Sequence, residues 1–289
     1  MKKIILSLMG CLFCLAVSAQ ELTVGSYNIR YKNKNDSING NGWNVRSKVM
    51  ARQINWERPD VFGTQEGLHQ QLVDLDALLD GYKWIGVGRD DGKQAGEYSA
   101  IFYKPDRVEL LEQGNFWLNE TPDQPALGWD AACIRICTWG HFRDRKTKKE
   151  FYFLNLHMDH VGVVARRESA KLVMNRITKM TDNGKKLAVL SGDFNVSQTN
   201  ELYSLFTESG VLKDCYACAK ERYAENGTYN GFDYHFWTDQ RIDHLFVTPA
   251  TTVDAYAVLT SGYWKKDMNN TMSRRTLSDH YPIFARIKF

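Results

Sequence analysis

The residues able to do chemistry in this sequence stand at the ends of apolar runs. The plainest case is Leu187-Ala188-Val189-Leu190, which breaks into Ser191-Gly192-Asp193-Phe194-Asn195. A short apolar run bounded by glycine reads as a buried strand, and side chains two residues apart on extended chain share a side. The Asp193 carboxylate and the Asn195 amide can therefore meet one ligand. Alone, an Asp there is more often a helix cap, but the pattern recurs. Asn28 closes a strand that begins at Leu22, and Gln65 and Glu66 close one that begins at Asp60. Asn155 and His157 lie on the strand from Glu150, Asp243 and His244 on the one from Arg241, and Asp279 and His280 precede Tyr281. Glu66, Asp193 and Asp279, with Asn28 or Asn195 as neutral oxygens, form a hard donor set that suits Mg²⁺ or Mn²⁺ better than zinc. His157 and His280 can move protons near pH 7. A cation polarising a phosphoryl oxygen, a base for water and an acid for the leaving group would make a phosphoester hydrolase.

The elements that must position these groups alternate at both ends of the chain. After the first strand, Tyr31 to Gly42 reads as loop. Asn44 is then placed to cap a helix burying Val45, Val49, Ile54 and Trp56 and ending before Pro59. A second helix carries Leu68, Leu72, Leu75, Leu78 and Leu79 at helical spacing. From Tyr82 to Asp159 consecutive strands and hairpin turns take over. A helix over Ala165 to Met180 leads to the Leu187 strand, and one over Glu201 to Ser209 follows it. Mixed αβ pieces flanking a run of hairpins predict an α+β fold in one domain, two packed sheets with helices outside. The aromatic segment from Lys220 to Gln240 has no clear period, and long loops inside a compact domain usually carry function.

Lys2 and Lys3, the apolar run Ile4 to Val17 and Val17-Ser18-Ala19 read together as a secretory signal over residues 1–19, leaving one domain over 20–289. A lipid anchor on Cys11 ranks second, because Met9 stands where a small residue is usual. The expectation is a secreted or periplasmic monomer without a membrane span. Cleavage removes two lysines and no acids, taking the formal charge from +3 to +1, which does not suit avid binding of long nucleic acid. Cys133 and Cys137, expected on one strand at a separation of about 13 Å, cannot pair. Cys215 and Cys218 are close enough to do so, although buried thiols would serve equally.

Ser26-Tyr27-Asn28-Ile29, Gln65-Glu66, Asn155-Leu156-His157, Gly192-Asp193-Phe194-Asn195, Arg241-Ile242-Asp243 and Ser278-Asp279-His280-Tyr281-Pro282-Ile283 resemble, in order, the motifs of the endonuclease/exonuclease/phosphatase superfamily. The resemblance implies a four-layer α/β/β/α sandwich with the site between the two sheet edges. By the same resemblance Glu66 is the principal metal ligand with Asn28 its partner, and Asp279 a secondary ligand. Asp193 and Asn195 position the attacking water and the phosphate. His280, oriented by Asp243, is assigned as base and His157 as acid. Glu97 resembles the carboxylate that orients the second histidine in deoxyribonuclease I, and Arg135 its phosphate-binding arginine.

The arginine-bearing signatures of inositol 5-phosphatases are missing, and no exposed apolar hairpin is evident. A nuclease or nucleotide phosphodiesterase is therefore placed ahead of a lipid, inositol or sugar phosphatase. A catalytically silent binding module ranks behind both, because all the ligands are kept. The aromatics from Asn226 to Trp237 are candidates to stack a base or a sugar if they flank the cleft, and Arg274 and Arg275 are candidates for a second phosphate.

Overall fold

The structure, a computed structural model, describes residues 21–266 and 270–289; the stretch expected to be an export signal, with Cys11, lies outside them. The first half runs through β1 (Leu22–Asn28), α1 (Lys34–Ile38), α2 (Trp43–Glu57), β2 (Val61–Leu68), α3 (His69–Leu78), β3 (Lys83–Ile85), β4 (Glu97–Tyr103), β5 (Val108–Trp117), β6 (Ile136–Asp144) and β7 (Glu150–His157). The second runs through α4 (Val163–Met180), β8 (Leu187–Asp193), α5 (Ser204–Thr207), β9 (Lys213–Asp214), α6 (Cys215–Cys218), β10 (Glu221–Tyr223), β11 (Asp243–Val247), β12 (Thr252–Val258), β13 (Gly262–Lys266), β14 (Met272–Thr276) and β15 (Ile283–Lys288).

Two mixed sheets result, one of seven strands in the order β10-β12-β15-β1-β2-β4-β3 and one of six in the order β5-β6-β7-β8-β11-β9. Their inner faces meet through Val24, Phe153, Val189, Leu245 and Ile283, all fully buried. Burying one such phenylalanine contributes roughly 2–3 kcal/mol. On the outer faces, α2 and α3 lay Met50, Ile54, Leu72 and Leu75 on Phe62 and Phe102. Residues Ala170, Val173 and Ile177 of α4 pack on Leu154, Leu156 and Leu190. The four-layer sandwich is therefore observed.

Each sheet contains one parallel pair joined through a helix, β1 with β2 and β7 with β8. Both pairs end at the same edge of the sandwich, so Asn28, Glu66, His157 and Asp193 arrive there together. The antiparallel neighbours complete the edge. Asp243 sits opposite Asp193 in register, and β15 pairs with β1 so that the residues before Ile283 lie beside Asn28. Ligands in mixed αβ sheets bind at the carboxyl ends of parallel strands for this geometric reason.

Several expectations are corrected. Residue Gly42, not Asn44, precedes the first turn of α2, and Trp56 is 84% exposed. The buried stripe is Trp43, Arg46, Ser47, Met50, Ala51 and Ile54, and a reading that counts only apolar residues cannot find a stripe that contains a buried arginine and a serine. The helix after β8 shrinks to a single 3₁₀ turn over Glu201–Tyr203 followed by α5. Strand β6 begins at Ile136, leaving Cys133 outside it, and Cys133, Cys137, Cys215 and Cys218 are all free thiols. β13 and β14 form a separate two-stranded ribbon with Trp264 exposed, in a region where no such hairpin is expected. Among the described residues no helix is long and apolar enough to cross a membrane.

Candidate active site

Before the cleft comes the joint that holds its two halves in place. The buried Asn155 of β7 donates Nδ2 to the carbonyls of Thr64 and Ala100 at 2.9 Å each, and its Oδ1 accepts from Gln65 Nε2 at 2.7 Å and Ser191 Oγ at 3.2 Å. One amide thus bonds both sheets with its capacity filled, and Gln65 and Asn155 are joint rather than chemistry. The joint requires Gly63, where a Cβ would lie 2.2 Å from Asn155 Oδ1. Gly192 is required for a similar reason: its φ is +153°, and a Cβ there would lie 2.2 Å from the Leu156 carbonyl oxygen.

Above this joint lies a cleft of about 540 Å³ whose lining includes Glu66, Glu97, Arg135, His157, Asp193, Asn195, Asp279 and His280. Asp193 is its centre. Its Oδ1 accepts the Asn195 N–H at 3.0 Å and its Oδ2 accepts Asn28 Nδ2 at 3.0 Å. The Nε2 atoms of His157 and His280 lie 3.6 and 3.7 Å from that same Oδ2. Glu66 and Asn195 hold positive φ values of 63° and 50°, which a non-glycine residue adopts only at a cost that the surroundings must offset. At Glu66 the cause is local: the pairing of β2 with β4 slips between Thr64 and Gly67, which turns the carboxylate into the cleft.

Asn28 stands at the expected place but presents the other end of its amide. Its Nδ2 also donates to Glu66 Oε1 at 3.0 Å, while Oδ1 is taken by the Arg30 N–H. The residue therefore bridges Glu66 and Asp193 as a donor. Glu97 departs from expectation as well. Arg89 holds it at 2.7 and 3.2 Å, so its hydrogen bonds go to a guanidinium and not to His157. Arg135 sits 3.4 Å from Asp159 and 2.9 Å from His160, with Nη1 buried and unpartnered. Burial opposes ionisation of Asp159, but the N–H groups of Gly162, Val161 and Ala132, aided by Arg135, outweigh it and hold the carboxyl at about 2.

The electrostatics divide the two histidines. Burial, reinforced by the positive charge of Arg135 and Arg89, pushes His157 well below the usual histidine value. Burial acts the same way on His280, but Asp243, whose Oδ2 is 2.8 Å from Nδ1, and Asp193 outweigh it and raise that histidine well above the usual value. The two histidines are thus shifted in opposite directions, His157 toward its neutral form and His280 toward its charged one, which favours His157 as base and His280 as acid. Burial, followed by the charge of Asp243, raises Asp193 to about 7.

The donor set fits a hard divalent cation. Glu66 and Asp279 share the cleft with Arg30 as their nearest cation, at 3.8 and 3.4 Å. Asp243 Oδ1 is buried without a partner, and ligand atoms of Asp193, Asp243 and His280 lie within 4.8 Å of one another. Burial raises Asp279 more than His280 lowers it, with Glu66 adding to the rise. Glu66, Asp193 and Asp279 thus bring carboxylate oxygens, the ligand type a hard divalent cation takes, into one cleft.

A family model described as endonuclease/exonuclease/phosphatase family matches residues 25–280. The chain belongs to that family. Family members are metal-dependent phosphoester hydrolases, a phosphatase and nucleases among them. A mannosyl-6-phosphatase of Bacteroides thetaiotaomicron is 48% identical with a TM-score of 0.90, over 93% of this chain and all of that one. Among curated proteins, an uncharacterized protein of Acanthamoeba polyphaga mimivirus is 27% identical over 160 residues, 53% of this chain. The CCR4-Not complex 3′-5′-exoribonuclease subunit Ccr4 of Debaryomyces hansenii is 24% identical over 246 residues, 73% of this chain. The chain spans 59% and 29% of the lengths of these two curated relatives.

Reading strand ends misses part of this family site. Arg30, Arg89 and His160 line the cleft, and only Arg30 had a sequence signal, two residues after Asn28. Arg274 stacks over Tyr234 at 4.0 Å, and neither it nor Arg275 lines the cleft.

Proposed function

We propose that this chain is an exported, monomeric phosphatase that removes the phosphate of a phosphorylated sugar with the help of Mg²⁺ or Mn²⁺. The observation that carries the chemistry is the convergence of two imidazole Nε2 atoms on one oxygen of Asp193, across the cleft from Glu66 and Asp279. The likeness to a mannosyl-6-phosphatase at 48% identity supports the substrate class. It reverses the order expected from sequence, in which a nuclease came first, since the relative named as an exoribonuclease reaches 24%.

In this reading Glu66 and Asp279 hold the cation, which when bound would withdraw charge from the phosphoryl oxygens. Asn28 fixes the Glu66 carboxylate from behind. Asp193 and Asn195 orient water against phosphorus, the guanidinium of Arg135, which lines the cleft, takes a phosphoryl oxygen, and Asp243 holds the ring of His280. His157, shifted toward its neutral form, takes a proton from water, and His280, shifted toward its charged form, gives one to the leaving oxygen.

Phosphate release from mannose 6-phosphate, glycerol 3-phosphate and an oligonucleotide, with Mg²⁺, Mn²⁺ or chelator, tests the assignment. Mannose 6-phosphate should be preferred and the chelator should abolish turnover. Glu66→Gln should lower kcat at least 10³-fold and raise the Mg²⁺ concentration needed for half-maximal rate; an unchanged metal titration would remove Glu66 from the cation site.

A further inference from the structure

We propose that Tyr229 selects the ring of the leaving group, its exposed aromatic surface forming the wall of the cleft against which the sugar packs. The inference rests on the sugar-phosphatase reading and adds to it the residue that recognises the sugar. The first observation is how firmly this piece of the aromatic loop is held. Asn230 and Gly231 donate their N–H groups to the Asp279 carbonyl at 2.7 and 3.1 Å, and Tyr281 donates to the Thr228 carbonyl at 2.7 Å. Thr228 Oγ1 accepts from the N–H groups of Ile242 and Asp243 at 3.0 and 3.1 Å. Residues 228–231 are thereby tied to both strand ends that supply Asp243 and His280, and Tyr229 pairs with His280 as an isolated β-bridge.

The second observation is the placement of the ring. It meets the His280 imidazole edge-on, with centroids 5.2 Å apart at 76°, and meets Phe236 edge-on at 6.5 Å. Gly231, at φ +59°, leaves it room, since a Cβ there would stand 3.2 Å from the Tyr229 hydroxyl. The ring is therefore fixed, yet 43% of the residue remains exposed and it lines the cleft. A tyrosine needed only to brace an imidazole would be covered; one held rigid with its surface open is preorganised to be covered by a ligand. Arg135, the cationic group assigned to the phosphate, is also in the lining. An aromatic wall does nothing for phosphate but matches the apolar C–H face of a pyranose.

The test measures kcat/KM of the full chain for mannose 6-phosphate and for glycerol 3-phosphate, which lacks a ring. Wild type should prefer the sugar ester, and Tyr229→Phe should keep that preference within about threefold. Tyr229→Leu, which retains apolar bulk beside His280, should lose at least tenfold of the preference through KM. Inhibition by inorganic phosphate, measured on each variant, verifies a folded site. Equal losses on both substrates would mean that Tyr229 acts only through His280 and would overturn the proposal while leaving the assigned activity standing. A wild-type enzyme with no preference for the sugar ester would overturn both.

Discussion

Two buried arginines show what separates the scaffold from the cleft. Arg46, on α2, spends its donors on backbone: Nε on the Asn41 carbonyl at 2.7 Å, Nη1 on Ile29 and Leu277 at 2.9 and 3.1 Å, and Nη2 on Arg30 at 3.1 Å. Its guanidinium lies over the Trp43 and Phe232 rings at 5.5 and 5.4 Å. Arg135 is nearly as buried and lines the cleft, with Nη1 left unpaired. Asn155 and Asn195 differ in the same way: the first has both ends of its amide engaged across the sheets, and the second commits only Nδ2, to the Met158 carbonyl at 3.0 Å. In these two pairs the scaffold residue is cement, and the cleft residue, with a polar atom left uncommitted, is a receptor.

Breaking the cement should have the largest effect. Arg46→Ala strands the carbonyls of Ile29, Asn41 and Leu277, while that of Arg30 keeps Gln71 Nε2 at 3.0 Å, and should lower unfolding free energy by roughly 3–5 kcal/mol in denaturant titrations; a loss below 1 kcal/mol would erase the distinction. His244, on the scaffold side of β11, gives a pH test of comparable size. Burial above all lowers it to about 4, with Nε2 2.8 Å from the Val196 carbonyl. The unfolded chain takes up the proton first, so stability is full above pH 6.5 and falls as pH drops toward 4, by on the order of 3 kcal/mol. A variant His244→Gln should flatten that window relative to wild type. Emptying the receptor should be smallest in stability: Arg135→Gln should cost roughly 10²-fold in kcat/KM but less than about 1 kcal/mol in unfolding, because four backbone N–H groups still serve Asp159. A large stability loss there would place Arg135 with Arg46.

Much of this was legible in the sequence because the catalytic groups interrupt apolar strands. An Asp, Asn or His after Leu187–Leu190 or before Tyr281 has no packing reason to be there, and the recurrence over several strands picks out one sheet edge. The scaffold side was less legible. Arg46 looks like a surface residue until the fold buries it, and Glu97 occupies a recognisable position while Arg89, which determines its hydrogen bonds, has no pattern around it. The β13–β14 ribbon escaped because Tyr263, Trp264, Lys265 and Lys266 do not alternate apolar with polar, and its strands pair only with each other. Tyr229 lay in a segment marked as aromatic, but which ring reaches the cleft depends on backbone bonds to Asp279 and Asp243 that no periodicity encodes.

The placement of β15 has a consequence for biosynthesis. This strand inserts between β12 and β1, and Ser278 Oγ, just before it, bonds the Asn28 carbonyl at 2.7 Å, so residues some 250 positions apart must meet before Asp279 and His280 face Glu66. A nascent chain whose residues 278–288 have not docked can pair β1 with β2 and β7 with β8 but lacks Asp279 and His280 in the cleft. The cleft is therefore assembled from residues far apart in the sequence, and docking of residues 278–288 is the step that completes it.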